Sequence, residues 1–383
     1  MNNRLRRVIC VMISFALLIV SVPAASFAAE FDIGDDIPSA IVMEASTGTV
    51  ISEKNADERR APASVTKVMT MLLIMEAVDC GKIGFDDTVT VSAYASSMGG
   101  SQVYLKEGEQ MTVRDMLKSI TVASANDACV AMAEHIAGSE QSFVDMMNEK
   151  AAALGMQNTH FENTNGLDDT ATDHYTTARD IALMSRELLK HKTILEFSSI
   201  WMDSIRNGEF GLTNTNRLIR FYKGANGLKT GSTSKAGFCI SATAERGGMT
   251  LICVIMGAPT RDSRNEAAKR AFDFGFSNFA LYTSEGENIE DFPVVRGKDP
   301  TCGLTSDGFV YLCDKSKVGS VVRRVELPEY IAAPMKAGNK VGKIVYSIGE
   351  EIIGETPIVL SDDLPEITFG GIVAAIFKRI FMI

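Results

Sequence analysis

The chain opens with two short β-prone runs and returns to long β-prone runs only far downstream, with helical periodicity between. That order constrains the fold more than any other feature. Ile41–Ala45 and Thr49–Ile51 flank Thr47-Gly48 and predict a hairpin. Ala236–Ala244 and Thr250–Met256 flank Glu245-Arg246-Gly247-Gly248 and predict a second one. Between them, Val68, Met71, Leu72 and Met75 recur at helical spacing, so 64–79 reads as a helix with a buried face. Thr112 is placed to cap a helix carrying Val113, Met116 and Leu117. Further helices read over 126–136, 177–189 and 261–279. An antiparallel sheet with its first strands beside its last, covered by helices, satisfies this order and gives the class as α+β.

After Glu285 the pattern changes. Val294-Val295, 309–312, 321–327, 343–347 and 357–360 are short β-prone runs between Gly and Pro, which reads as a small all-β domain. The last segment carries Phe369, Ile372, Val373, Ile376, Ile380 and Ile383 as one apolar stripe, with Lys378 off it and Arg379 beside. It is too short to span a bilayer but suits a membrane interface; the alternative is a terminal helix packed on the protein. At the other end, Arg4, Arg6 and Arg7 precede the apolar run Val8–Val20, then Pro23 and Ala25-Ser26-Phe27-Ala28. This reads as an export signal cleaved near Ala28 or Ala29, the alternative being an uncleaved anchor. The expected division is a signal at 1–28, the α+β domain at 29–284, the β domain at 285–363 and an amphipathic helix at 364–383. The protein is then expected outside the cytoplasm, on the outer face of the membrane or in the cell wall.

Composition excludes some functions. A net charge of -10 argues against nucleic acid as a partner. His135, His160, His174 and His191 are scattered without H-E-x-x-H, and no C-x-x-C pair occurs, so no metal or organic cofactor is implied. Of seven cysteines, Cys10 falls in the signal and Cys129, Cys239 and Cys253 in apolar runs. Cys302 and Cys313 flank an expected hairpin, and their spacing leaves pairing open.

Three short motifs carry the chemistry: Ser64-Val65-Thr66-Lys67, Ser124-Ala125-Asn126 and Lys229-Thr230-Gly231. Each alone is weak, and Ser232-Thr233-Ser234-Lys235 repeats the first pattern in a turn, where Lys235 would not stack over Ser232. Context separates them. Ser64 opens a helix after Pro62, Ser124-Ala125-Asn126 joins two helices, and Lys229 begins a β run. On a helix, Ser64 and Lys67 share a face. A serine hydroxyl needs a base within hydrogen-bond reach, and a lysine serves only when its pKa is depressed by burial or a nearby cation such as Lys229. The Ser64 and Ser232 backbone N–H groups suit an oxyanion pocket. Ser124 suits proton relay and Asn126 a substrate amide. Lys229, Thr230 and Ser232 suit a free carboxylate, with Gly231 permitting close approach of the substrate backbone.

These motifs, in this order, resemble the penicillin-recognising serine enzymes. The longer strings Ala61-Pro62-Ala63-Ser64-Val65-Thr66-Lys67, Ser124–Cys129, Tyr175–Asp180 and Gly227–Gly231 are similar to the low-molecular-mass D-alanyl-D-alanine carboxypeptidases. The resemblance spans the mature chain. It implies a β-lactamase/transpeptidase-like domain acting on peptidoglycan stem peptides ending in D-Ala-D-Ala, and acylated by β-lactam antibiotics. It implies Ser64 as nucleophile, Lys67 as base, Ser124 as relay, and Lys229 with Thr230 as carboxylate binders. Members often carry Asp before the Gly of the last motif and His after it; this chain has Asn226 and Ser232. A class A β-lactamase shares the motifs but uses an E-x-x-x-N loop, a spacing that Glu162-Asn163-Thr164-Asn165 lacks. An endopeptidase cutting cross-links stays open, as does a non-catalytic cell-wall binder, against which the intact motifs argue.

Overall fold

The computed structural model describes residues 31–167 and 171–381. The expected export signal at 1–28 lies outside the described residues. Strands β1 (Ser39–Glu44) and β2 (Val50–Lys54) form the predicted antiparallel hairpin. Helix α1 (Lys67–Asp79) continues directly from a 3-10 turn at Ala63–Thr66. Helix α2 (Val113–Ala123) is capped by the Thr112 hydroxyl, which accepts from the Asp115 N–H at 3.1 Å. Helices α3 (Asn126–Ala137), α4 (Glu140–Ala153) and α5 (Ala178–Leu188) follow, the last capped by Thr177. A short hairpin, β3 (Met202–Ile205) with β4 (Phe210–Thr213), precedes three long strands. These are β5 (Ala225–Thr233), β6 (Gly237–Arg246) and β7 (Met249–Ala258), and helix α6 (Arg261–Asn278) closes the unit.

The main sheet has the order β2-β1-β7-β6-β5 and is antiparallel throughout, so the first strands do lie beside the last. Alternation along β7 explains why that strand is apolar on consecutive residues. Ile252, Val254 and Met256 join the core shared with α1 to α5, whereas Leu251, Cys253 and Ile255 join the core shared with α6. The turn after β6 is shorter than the sequence implies. Gly247 and Gly248 both have positive φ, 58° and 78°, which lets two residues reverse the chain and lengthens both strands.

The downstream strands are β8 (Phe279–Ser284), β9 (Asn288–Val295), β10 (Thr301–Ser306), β11 (Phe309–Asp314), β12 (Val321–Glu326), β13 (Ile331–Ala332), β14 (Lys340–Ile348) and β15 (Glu351–Leu360). Six of them make one sheet in the order β12-β14-β15-β10-β9-β13 over a separate core that includes Leu304, Ile344, Tyr346 and Ile358. Strand β8, upstream of residue 285, pairs along its length with β11, from Phe279↔Asp314 to Ser284↔Phe309. Helix α7 (Phe369–Phe381) ends the described chain with Phe369, Ile372, Val373, Ile376 and Ile380 all exposed, Phe369 at 81%. The side chains of Lys378 and Arg379, and Ile383, lie outside the described residues. Among the described residues no helix is long and apolar enough to cross a membrane. Cys302 and Cys313 are both free thiols.

Candidate active site

The first motif gets its geometry from the turn that precedes α1. In a 3-10 turn residues i and i+3 eclipse, which sets Lys67 over Ser64. The Lys67 ammonium donates to Ser64 Oγ at 2.9 Å, to Asn126 Oδ1 at 2.7 Å and to the Asn165 carbonyl at 2.8 Å, using all three protons. Helix α1 is buried on nearly every side, so Lys67 is wholly buried while Ser64 stays half-exposed. Burial lowers the Lys67 pKa to about 8, opposed by the nearby Asp127. Burial in turn pushes the Cys129 thiol up to about 12, so it is a neutral neighbour.

Ser124 sits at the break between α2 and α3 in left-handed backbone, φ 63° and ψ 32°, and borders the same cleft as Ser64. Asn126 Oδ1 accepts from Lys67, and its Nδ2, which carries two protons, donates to the Gly99 carbonyl at 2.8 Å. The Asn165 carbonyl has no motif behind it and was not foreseen.

The third motif lies on β5, the edge strand of the main sheet. A Cβ built on Gly231 would lie 2.8 Å from Ser64 N, 2.9 Å from Pro62 O and 2.9 Å from Val65 N. All three are backbone atoms, so only glycine lets β5 pack against the turn that bears Ser64. Ser232 follows on the exposed side, and Thr230 Oγ1 donates to Thr215 Oγ1 at 2.8 Å. Lys229 is buried, and its Nζ donates to the Thr230 carbonyl at 2.8 Å. Burial and then the Lys67 charge push its pKa well below the usual lysine range. Lys229 has one acceptor against three for Lys67. Burial is the main cause that depresses Lys67. The repeat Ser232–Lys235 lies at the β5–β6 turn with Lys235 exposed. Asn226 accepts from Thr243 Oγ1 at 2.7 Å, within the sheet.

Ser64, Ser124, Thr230, Gly231 and Ser232 border one cleft of about 680 Å³, joined there by Trp201, Thr215, Phe221, Arg217, Arg261 and Arg264. Arg264 is buried and bonds neutral oxygens, Cys239 O at 3.2 Å and Asn265 Oδ1 at 2.9 Å. Burial lowers its pKa to about 10, and Arg261 and Arg217 add to the effect. The sequence did carry a signal for these cations. Arg261 and Arg264 fall in the first turn of α6, where the helix dipole disfavours positive charge. Asp262 lies in the same turn. Behind the cleft, the 162–166 loop gives Lys67 a carbonyl rather than a carboxylate. The Glu162 carboxylate accepts instead from the Asp173 N–H at 2.9 Å.

Comparison with known proteins bears on the family of the chain. Residues 30–260 match the family model described as D-alanyl-D-alanine carboxypeptidase. Residues 276–366 match the one described as penicillin-binding protein 5, C-terminal domain. The D-alanyl-D-alanine carboxypeptidase DacF of Bacillus subtilis is 41% identical over 345 residues, covering 88% of each protein. DacA of Escherichia coli, with the same description, is 34% identical over 365 residues, covering 90% of this chain and 88% of that protein. Penicillin-binding protein 5 from Haemophilus influenzae superposes with a TM-score of 0.76 at 30% identity, over 86% of this chain and 98% of the other. Penicillin-binding protein D2 from Listeria monocytogenes, solved in its ampicillin-bound form, superposes with a TM-score of 0.58 at 31% identity, over 63% of this chain and 98% of the other. The chain belongs to the D-alanyl-D-alanine carboxypeptidase family of penicillin-binding serine hydrolases.

Proposed function

We propose that this hydrolase removes the terminal D-alanine of peptidoglycan stem peptides through an acyl-enzyme on Ser64. The observation that carries the assignment is the buried Lys67 amine 2.9 Å from Ser64 Oγ. Neutral Lys67 takes the hydroxyl proton as Oγ bonds to the carbonyl carbon of the penultimate D-alanine. The backbone N–H groups of Ser64 and Ser232 receive the oxyanion. The peptide C–N bond breaks, and the departing amine takes a proton by way of Ser124. Water then hydrolyses the ester. Thr230 and Lys229, with Arg264, Arg261 and Arg217 beyond them, receive the terminal carboxylate. A β-lactam enters by the same route, its ring amide taking the place of the scissile bond.

Around this centre we assign an export signal at 1–28, the catalytic unit to 284, a β spacer from 285 and the helix α7, which rests on the outer face of the membrane; the spacer runs past the expected boundary at 363, because Leu364 and Glu366 bridge to Met335 and Gly297. The exposed stripe of α7 supports the last assignment, because so much apolar surface at a chain end calls for burial. Release of free D-alanine from a stem pentapeptide, absent in Ser64→Ala, tests the reaction. A cross-linked dimer cleaved in preference to the pentapeptide would replace it with an endopeptidase. Fractionation of the full chain against one ended after Leu364 tests the anchor, and equal behaviour retires it.

A further inference from the structure

Asn126 holds Lys67, but what holds Asn126 lies outside every motif. Its backbone N–H donates to the Ser101 carbonyl at 2.7 Å and its Nδ2 to the Gly99 carbonyl at 2.8 Å. The segment from Gly99 to Leu105 is therefore a support for the amide as well as a wall of the cleft, which Ser101 borders. Gly100 has φ +74°, and a Cβ there would sit 2.8 Å from Asn126 Nδ2. Tyr104 is also left-handed, at φ 57°. A segment of that shape has no regular secondary structure to hold it.

It is held instead from two sides. On the inner side the wholly buried Asp127 carboxylate accepts from Val103 N at 3.1 Å and Leu105 N at 3.0 Å, besides Ala128 N at 2.9 Å. On the outer side Arg206, at the tip of the β3–β4 hairpin, donates to Val103 O at 2.9 Å and Tyr104 O at 3.3 Å. The same guanidinium bonds Glu109 Oε1 at 2.6 Å, and Glu109 in turn accepts from Lys106 N at 2.9 Å. Asp127 thus takes the N–H groups of the segment and Arg206 takes its carbonyls.

We propose that Asp127 and Arg206 are positioning residues for the hydrolysis, gripping the Gly99–Leu105 segment so that Asn126 keeps the Lys67 amine in register with Ser64. The proposal rests on the reading of Lys67 as the base. Lys67 faces Asp127, Cys129 and Asn126 from α3, Lys229 from β5 and the Asn165 carbonyl from the 162–166 loop. Cys129 is a neutral thiol, so Asp127 is the anion that Lys67 feels.

The test is the rate of labelling of the full chain by a fluorescent penicillin from pH 6 to 9, in Arg206→Ala, Asp127→Asn and Gly100→Ala. Arg206 is partly exposed and remote from Ser64, so Arg206→Ala carries the test if Asp127→Asn fails to fold. The expected result is labelling slowed about tenfold, the scale of a small displacement of a base, with the midpoint of the pH profile moved to lower pH as Lys67 loses an acceptor. Asp127→Asn moves it furthest, because the carboxylate charge is lost too. A role confined to folding would reduce the labelled fraction and leave the midpoint in place. That outcome, or wild-type rate and midpoint in Arg206→Ala, overturns the proposal. Persistent labelling of Ser64→Ala would overturn the assignment of the nucleophile instead, and is read separately.

Discussion

If Lys67 is the base, pH is the cleanest perturbation of the chemistry. A buried lysine with a pKa of about 8 is neutral in about one molecule in ten at pH 7, whereas an ordinary lysine near 10.5 is neutral in about one in three thousand. Burial therefore supplies about 300-fold more base at neutral pH, equivalent to about 3 kcal/mol of barrier. The sign follows from the role: a base acts without its proton, so the acylation rate rises with pH. It should climb about tenfold between pH 6 and 7, bend near pH 8 and level off above 9. Stopped-flow labelling by a fluorescent penicillin under single-turnover conditions reads this step without later hydrolysis. Lys67→Arg, whose guanidinium keeps its proton in this range, should lose the rise together with nearly all the rate. A flat profile from pH 6 to 9, or the same limb in Lys67→Arg, would refute the assignment of the base.

Three further outcomes follow from the geometry. Gly231→Ala should slow acylation at least about a hundredfold, because the added methyl meets Ser64 N, Pro62 O and Val65 N and parts β5 from the nucleophile turn; wild-type labelling would show that the strand can yield. Arg217→Gln with Arg261→Gln should raise KM about tenfold for a peptide ending in a free carboxylate and leave hydrolysis of the corresponding ester of that terminus unchanged; equal effects on both would remove the cations from carboxylate recognition. Glu162→Gln should leave the half-life of the penicilloyl adduct within about twofold of wild type, since that carboxylate is turned to Asp173 N; a large increase would revive a glutamate-activated water.

Much of the fold was legible because local chemistry and tertiary packing agree. Thr112 caps the helix that follows, as its position predicts. The first hairpin, the glycine turn between β6 and β7, and the outward-facing stripe of α7 likewise follow from residue type and spacing. The three motifs named the residues that border the cleft or sit beneath it. Other features had no local signature. Helix α4 and the β3–β4 hairpin went unread, and β8 pairs across residue 285 with β11.

What the sequence determined by itself is the inventory: which hydroxyl and which amines exist, on which elements, and which face of each element is apolar. These depend on periodicities of two and 3.6 residues and on caps that act within one turn. What only the tertiary structure decided is the electrical state and the support of those groups. Lys67 titrates near neutrality because a helix buried on nearly all sides strips it of water. Lys229 is pushed well below the usual lysine range by its own burial and by the Lys67 charge. Asn126 grips Lys67 because a segment held by Asp127 and Arg206 takes the other end of its amide. Burial and hydrogen bonding between residues far apart in the chain leave no mark on local spacing, so their effects appear only when the chain is folded.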